Sequence, residues 1–242
     1  MHYAMKTDIG RVRELNEDAC NCGSFSDSFA WAVVCDGMGG ALAGEVASNS
    51  AVDYITERIR RAYRRDMSET SAGYLLTTAI IASGILICDD SKKNAVHEGM
   101  GTTVVACIAL KNTLVCANVG DSRGYLFTKK GLRRITHDHS LVQELIDAGK
   151  LSEQDAESFP HRNIITRVLG TEENVDVDIF TVPFAAHDRF LLCTDGLTNM
   201  VSEKRIAELL KTANVEEAAE ILIKEANKNG GTDNITVAVI EK

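Results

Sequence analysis

Residues Thr102 to Thr136 read TTVVACIALKNTLVCANVGDSRGYLFTKKGLRRIT. Four short runs rich in β-formers stand out: Thr102–Leu110, Thr113–Val119, Arg123–Thr128 and Leu132–Thr136. They are split by Lys111-Asn112, Gly120-Asp121 and Lys129-Lys130-Gly131, which marks a meander of antiparallel hairpins. Upstream, Phe29–Cys35 is an apolar run ending in Asp36-Gly37 and reads as a short buried strand. Ala41 to Arg65 reads as a helix, since Val46, Ala47, Ser50, Ala51, Tyr54, Ile55 and Ile59 keep an i, i+3, i+4 rhythm. A second helix is expected over Ser71–Lys93. Downstream, His137 to Gly170 holds polar residues and a short helix from Leu141 to Ala148, and reads as an insertion over the sheet edge. Strands resume at Val175–Val182 and Arg189–Thr194. Ser202 caps a helix that buries Ile206, Leu209 and Leu210; Asn214 with Glu217 resembles a capping box for the next, which buries Ala218, Ala219, Leu222, Ile223 and Ala226. Ile235–Ile240 closes the chain as a strand. Strands that cluster, with helices in consecutive pairs, favour α+β layers over alternating βαβ units.

A chain of 242 residues suits one domain, 1–242, with the insertion at about 137–170. Composition is that of a globular protein, with 45% hydrophobic and 25% charged residues. The formal net charge of -9 argues against a nucleic-acid partner, because an acidic surface repels a phosphate backbone. The N-terminus has no basic region followed by an apolar core, so no signal peptide is expected. The apolar stretches read as too short to span a bilayer, so no membrane is expected either. Of the seven cysteines, Cys35, Cys107, Cys116 and Cys193 sit inside apolar runs, and no pair has Cys-x-x-Cys spacing. They read as buried thiols in a reducing compartment, the cytoplasm. Cys20 and Cys22 lie in polar surroundings that leave their role open.

The chemistry sits where apolar runs stop. Asp36 precedes Gly37-Met38-Gly39-Gly40, Asp195 precedes Gly196, Asp233 precedes the last strand, and Asp121 lies in the turn Gly120-Asp121-Ser122-Arg123. Ends of neighbouring strands can gather at one sheet edge, and the carboxylates would then repel one another strongly. Hard divalent cations such as Mg²⁺ and Mn²⁺ resolve that conflict, since they prefer oxygen ligands and need only a few carboxylates. A single Asp-Gly is more often just a turn, and spacing alone does not bring the strand ends together.

The sequence resembles the bacterial type 2C protein phosphatases of the metal-dependent PPM family. The resemblance runs through Thr7–Asp18 (TDIGRVRELNED), Cys35–Gly40 (CDGMGG), Ala43–Ser48 (AGEVAS) and Gly101–Thr103 (GTT). It continues through Asn118–Arg123 (NVGDSR), Thr136–Ser140 (THDHS), Arg162–Arg167 (RNIITR), Thr194–Gly196 (TDG) and Gly231–Thr236 (GTDNIT). It implies a four-layer αββα sandwich, two antiparallel sheets flanked by pairs of helices, with a centre of two Mn²⁺ or Mg²⁺ ions at one end. By motif position Asp36 would bridge both ions, Gly37 would offer its carbonyl, Asp195 and Asp233 would complete the second site, and Asp121 with Asp195 would take a third ion. Arg13 matches the arginine that holds the substrate phosphate, a task suited to a guanidinium fork. Glu17 and Asp18 would hold coordinated waters, while Asn234 is either a ligand-orienting group or a turn cap. Met38 replaces the histidine that many eukaryotic relatives carry, and methionine cannot donate a proton. His161, beside a motif of the inserted segment, is a candidate substrate contact; His137 and His139 suit surface or capping roles better than metal binding. The segment 137–170 resembles the family's variable flap.

Other phosphatase chemistries fail by inspection: no cysteine has an arginine six positions later, and no Gly-x4-Gly-Lys-Ser/Thr loop occurs. The resemblance therefore implies hydrolysis of phosphoserine and phosphothreonine in proteins by a cation-activated water, without a phosphoenzyme, in a monomer that opposes a Ser/Thr kinase. A catalytically silent binding protein and a two-metal hydrolase of another phosphoester are the alternatives.

Overall fold

The structure, a computed structural model, describes residues 1–39, 43–156, 159–161 and 163–242. Its strands are β1 (His2–Asp8), β2 (Asp18–Ser26), β3 (Phe29–Met38), β4 (Gly101–Thr102), β5 (Val104–Ala109), β6 (Thr113–Val119), β7 (Arg123–Thr128), β8 (Gly131–Arg134), β9 (Asp178–Pro183), β10 (Arg189–Cys193) and β11 (Ile235–Glu241). The helices are α1 (Ala43–Ala62), α2 (Glu69–Lys93), α3 (Leu141–Asp147), α4 (Glu153–Ala156), α5 (Asp195–Thr198), α6 (Glu203–Thr212) and α7 (Val215–Lys228). One sheet runs β1-β11-β10-β7-β8 and the other β2-β3-β5-β6-β9, with β4 pairing β3, and every pairing is antiparallel.

Period-two alternation explains why the two sheets stack. On β3, Phe29, Trp31, Val33 and Cys35 face α1 and α2, while Ala30, Ala32 and Val34 face the other sheet. On β11, Ile235, Val237 and Val239 face α6 and α7, while Ala238 and Ile240 face inward. Small inward residues let the sheets approach closely, and a one-residue slip would turn every one of them outward. The helices follow the 3.6-residue period: Ala47, Ala51, Ile55 and Ile59 bury one stripe of α1, and Leu76, Ala79, Ile80 and Ile87 one stripe of α2. The result is the αββα sandwich.

Several elements differ from the sequence expectations. Strands β1 and β2 were not foreseen, because HYAMKTD and DACNCGSFS lack an apolar alternation and form sheet edges. The start expected for α1 at Ala41, Gly40 of the Asp36 motif and Arg162 of the flap motif lie outside the described residues. Asp195 follows β10 and opens the short helix α5. The meander expected over residues 102–136 is divided into two hairpins, because the chain crosses from one sheet to the other between β6 and β7 at Gly120–Ser122. The statement that no apolar stretch is long enough to span a bilayer is corrected by α2, a helix of 25 residues that is long and apolar enough by length and composition. Its apolar length has another use, since half of the most apolar window is buried inside the protein.

Ile80 is fully buried between α2 and its sheet. Ile80→Ala is expected to lower unfolding stability by about 2–5 kcal/mol, read by urea titration, without changing divalent-cation affinity.

Candidate metal centre

Asp18 on β2 sits directly opposite Asp36 on β3 in the strand register. Backbone pairing thus forces two carboxylates together before any tertiary contact is made. The end of β3 is fastened by Thr103: the Asp36 N–H donates to Thr103 Oγ1 at 3.0 Å, and the Thr103 N–H donates to the Asp36 carbonyl at 2.9 Å. Thr103 Oγ1 also lies 2.8 Å from Ser122 Oγ, which draws in the turn that carries Asp121.

The second sheet joins through Thr194. Its N–H donates to the Thr236 carbonyl at 3.0 Å, its Oγ1 accepts the Thr236 N–H at 3.0 Å, and the same Oγ1 donates to Asp18 Oδ2 at 2.9 Å. Asp195 follows immediately at the start of α5, and Asn199 Nδ2 donates to its Oδ2 at 3.0 Å. Gly196 permits this approach, because a Cβ there would stand 1.9 Å from the Asn234 carbonyl oxygen. Gly37 does the same for β3, since a Cβ would lie 2.2 Å from the Gly44 carbonyl oxygen.

Asn234 is no simple turn cap. Its Nδ2 donates to the Ile9 and Leu15 carbonyls at 3.0 and 2.8 Å, and its Oδ1 accepts the Glu17 N–H at 2.8 Å. It thereby clasps the 9–17 loop against the 233–235 turn and brings Arg13 to the centre, where Arg13 Nη2 donates to Asp233 Oδ2 at 2.9 Å. Glu17 in turn accepts from the backbone of Gly44 at the start of α1.

Five aspartates are therefore electrostatic neighbours. Burial, then the charges of Asp18, Asp195, Asp121 and Asp233, hold the Asp36 carboxyl well above the usual carboxylate range. Burial first and Asp195 second push Asp121 up to about 7, and burial pushes Asp18 up to about 7 against the hydrogen bonds of Thr236 and Thr194. Asp195 is raised by burial and by Asp233, and its carboxyl is within hydrogen-bond reach of Asp36.

Two buried oxygens of this cluster, Asp18 Oδ1 and Asp121 Oδ1, have no hydrogen-bond partner among the described residues. All donors in this cluster are hard oxygens, the set that Mg²⁺ and Mn²⁺ prefer. Among the described residues no three acidic, histidine or cysteine side chains already close around one point. That open rim suits ions which keep several waters and take one or two carboxylates each, so the residues fit such a centre.

Beside Asp121 and Asp195 a cleft of about 920 Å³ runs between Val142, Gln143 and Ile146 of the inserted segment and Met200–Glu203. Met38 is partly exposed at the end of β3. His161 is exposed, with its ring against Phe159 at 6.1 Å between centroids, and nothing among the described residues brings it to the aspartates. His137 matches its expected surface role and pairs with Asp147 at 2.7 Å. His139 does not: it is only 6% exposed and holds internal hydrogen bonds, with burial keeping its pKa below the ordinary histidine value. The tethers Thr103, Ser122, Thr194, Thr236 and Asn199 were not singled out from the sequence. Position beside Asp195, or within GTT and NVGDSR, was the available signal.

A carboxyl whose pKa is raised on folding contributes stability fully below its unfolded value near 4 and loses it as pH rises through its folded value, about 7 for Asp18. Cation-free Asp18→Asn is therefore expected to melt higher than wild type at pH 8, by roughly 2–4 °C per kcal/mol of repulsion relieved, with the difference vanishing toward pH 4. A lower melting temperature for the variant at pH 8 would contradict this.

The family model "Protein phosphatase 2C" matches residues 10–227. The serine/threonine phosphatase stp of Listeria monocytogenes is 43% identical over 244 residues, covering 100% of this chain and 96% of that protein. The crystal structure of serine/threonine phosphatase Stp1 from Staphylococcus aureus superposes with a TM-score of 0.92 at 34% identity, covering 99% of this chain and 94% of that one. The catalytic domain of serine threonine protein phosphatase PstP, solved with 2 manganese ions, superposes with a TM-score of 0.87 at 35% identity, covering 99% and 97% of the two chains. With its two stacked sheets, its gathered aspartates and these matches along its length, the chain belongs to the protein phosphatase 2C family.

Proposed function

We propose that the protein is a metal-dependent serine/threonine phosphatase that hydrolyses phosphoserine and phosphothreonine in proteins, opposing a Ser/Thr kinase. The observation that carries this reading is the group formed by buried Asp18 and half-buried Asp36, Asp121, Asp195 and Asp233, with the guanidinium of Arg13 at its edge. Asp36, the Gly37 carbonyl, Asp195 and Asp233 would hold two Mn²⁺ or Mg²⁺ ions, with Asp121 and Asp195 available to a third. Bound ions of this kind supply Lewis acidity to water and to phosphoryl oxygens.

The chain's own residues do the rest. Arg13, half exposed and paired with one carboxylate, is placed to release Asp233 and take a phosphate oxygen pair in its fork. Asp18, buried beside Asp36 on the neighbouring strand, and Glu17 at the edge can accept hydrogen bonds from waters in the centre and so orient them. No cysteine serves as nucleophile: Cys35 and Cys193 are fully buried, and burial holds their thiols far above neutral pH. Without a poised thiolate at these positions, direct attack by water is the route the carboxylate centre supports. The segment 137–170 borders the cleft and is the part of this single domain best placed to read the polypeptide around the phosphate. Cytoplasmic residence suits seven free cysteines, five of them buried.

Phosphopeptide hydrolysis with Mn²⁺ tests the reading. Wild type is expected to release phosphate, and Asp36→Asn to lower kcat by on the order of 10²–10³-fold or more. Arg13→Ala is expected chiefly to raise KM for the phosphopeptide. A wild type inert toward phosphopeptides with any divalent ion, or a near-normal Asp36→Asn, would overturn it. A preference for nucleotides in the same panel would redirect it.

A further inference from the structure

Resting on the function proposed above, we propose that His139 is a positioning residue that fixes the Asp121 corner of the metal centre and ties the 137–170 segment to it. The bonds run both ways between His139 and one residue, Gly120. The Gly120 N–H donates to His139 Nδ1 at 2.9 Å, and the His139 N–H donates to the Gly120 carbonyl at 3.0 Å. Asp121 is the next residue. On its other side Ser122 is held by Thr103, the residue that also holds Asp36. Asp121 is thus pinned from both neighbours, while its own buried Oδ1 has no hydrogen-bond partner among the described residues and points to a ligand.

The far side of the imidazole faces the inserted segment and the last strand of its sheet. Because Nδ1 accepts a hydrogen bond, the hydrogen-bond pattern assigns the neutral ring's proton to Nε2, which lies 3.1 Å from Asp178 Oδ2. Arg167 Nη1 also approaches Nε2 at 3.0 Å, donor against donor, so Asp178 is the partner that orients the ring. Arg167 instead secures that carboxylate, donating to Asp178 Oδ1 at 2.9 Å and to the Asp176 carbonyl at 3.2 Å. The His139 carbonyl accepts the Thr166 N–H at 2.9 Å, so the inserted segment hangs on the same residue. A shift of that segment would reach Asp121 through one side chain and one peptide.

A histidine that merely fills space would tolerate or suffer from any replacement alike. The two ring nitrogens offer a sharper test, since asparagine reaches where Nδ1 lies and glutamine reaches where Nε2 lies. Calorimetric Mn²⁺ titrations of the full chain would compare wild type, His139→Asn, His139→Gln and Asp121→Asn, the last marking the binding step that depends on Asp121. His139→Asn should keep that step within about threefold of wild type, whereas His139→Gln should weaken it by roughly 10–100-fold and leave tighter steps unchanged. Equal behaviour of the two variants, both intact or both weakened alike, overturns the assignment. If neither folds, Asp178→Ala removes the ring's orienting partner: a weakening of about threefold or more at the same step supports the assignment, and wild-type affinity overturns it. A wild type that takes up no Mn²⁺ overturns the parent function and this role with it, while a binding wild type with an unaltered His139→Gln overturns this role alone.

Discussion

The repulsion among Asp18, Asp36, Asp121, Asp195 and Asp233 is the constraint around which the rest is arranged. Strand register sets Asp18 against Asp36, and the hydrogen bonds of Thr103 and Thr194 hold the two sheets' ends in place. Burial and neighbouring charge raise Asp18, Asp36, Asp121 and Asp195 above the usual carboxylate range, so these carboxyls keep their protons to higher pH or need a cation. A scaffold that only sought stability would place apolar residues there. Retaining buried carboxyls with unpartnered oxygens is the mark of a site built for a ligand that the fold itself does not supply.

The scaffold tolerates this because its stability comes from elsewhere. Both helical layers and the space between the sheets are filled by aliphatic, aromatic and thiol side chains, and the aspartates lie outside these clusters. Antiparallel pairing throughout makes the strand ends rigid, and glycine at positions 37 and 196 lets neighbouring backbones close to distances that any Cβ would forbid. The loop carrying Arg13 has no strand of its own and depends on Asn234 to reach the centre.

Where burial writes a strong pattern, the sequence was legible. The β5–β6 and β7–β8 hairpins, the helix stripes and the Ser202 and Asn214 caps all appear in the fold, but β6 and β7 belong to different sheets, so the continuous meander does not form. Edge strands β1 and β2 carry mixed polar residues and wrote no such pattern. Periodicity also could not say that distant strand ends meet; the resemblance to known phosphatases supplied that expectation. The threonine tethers and the burial of His139 were illegible for another reason. A hydroxyl or imidazole looks the same in a sequence whether it faces water or fastens a neighbouring loop, and only the tertiary arrangement distinguishes the two.

Because Asp18, Asp36, Asp121 and Asp195 are raised above the usual carboxylate range, a bound cation must displace protons from them. Calorimetry of Mn²⁺ binding at pH 6.5, repeated in buffers of different ionisation enthalpy, counts those protons directly. Net proton release that falls away by pH 9, above the value of about 7 reached by Asp18 and Asp121, is the predicted result. Binding that is proton-neutral at both pH values, or no binding at all, would contradict it.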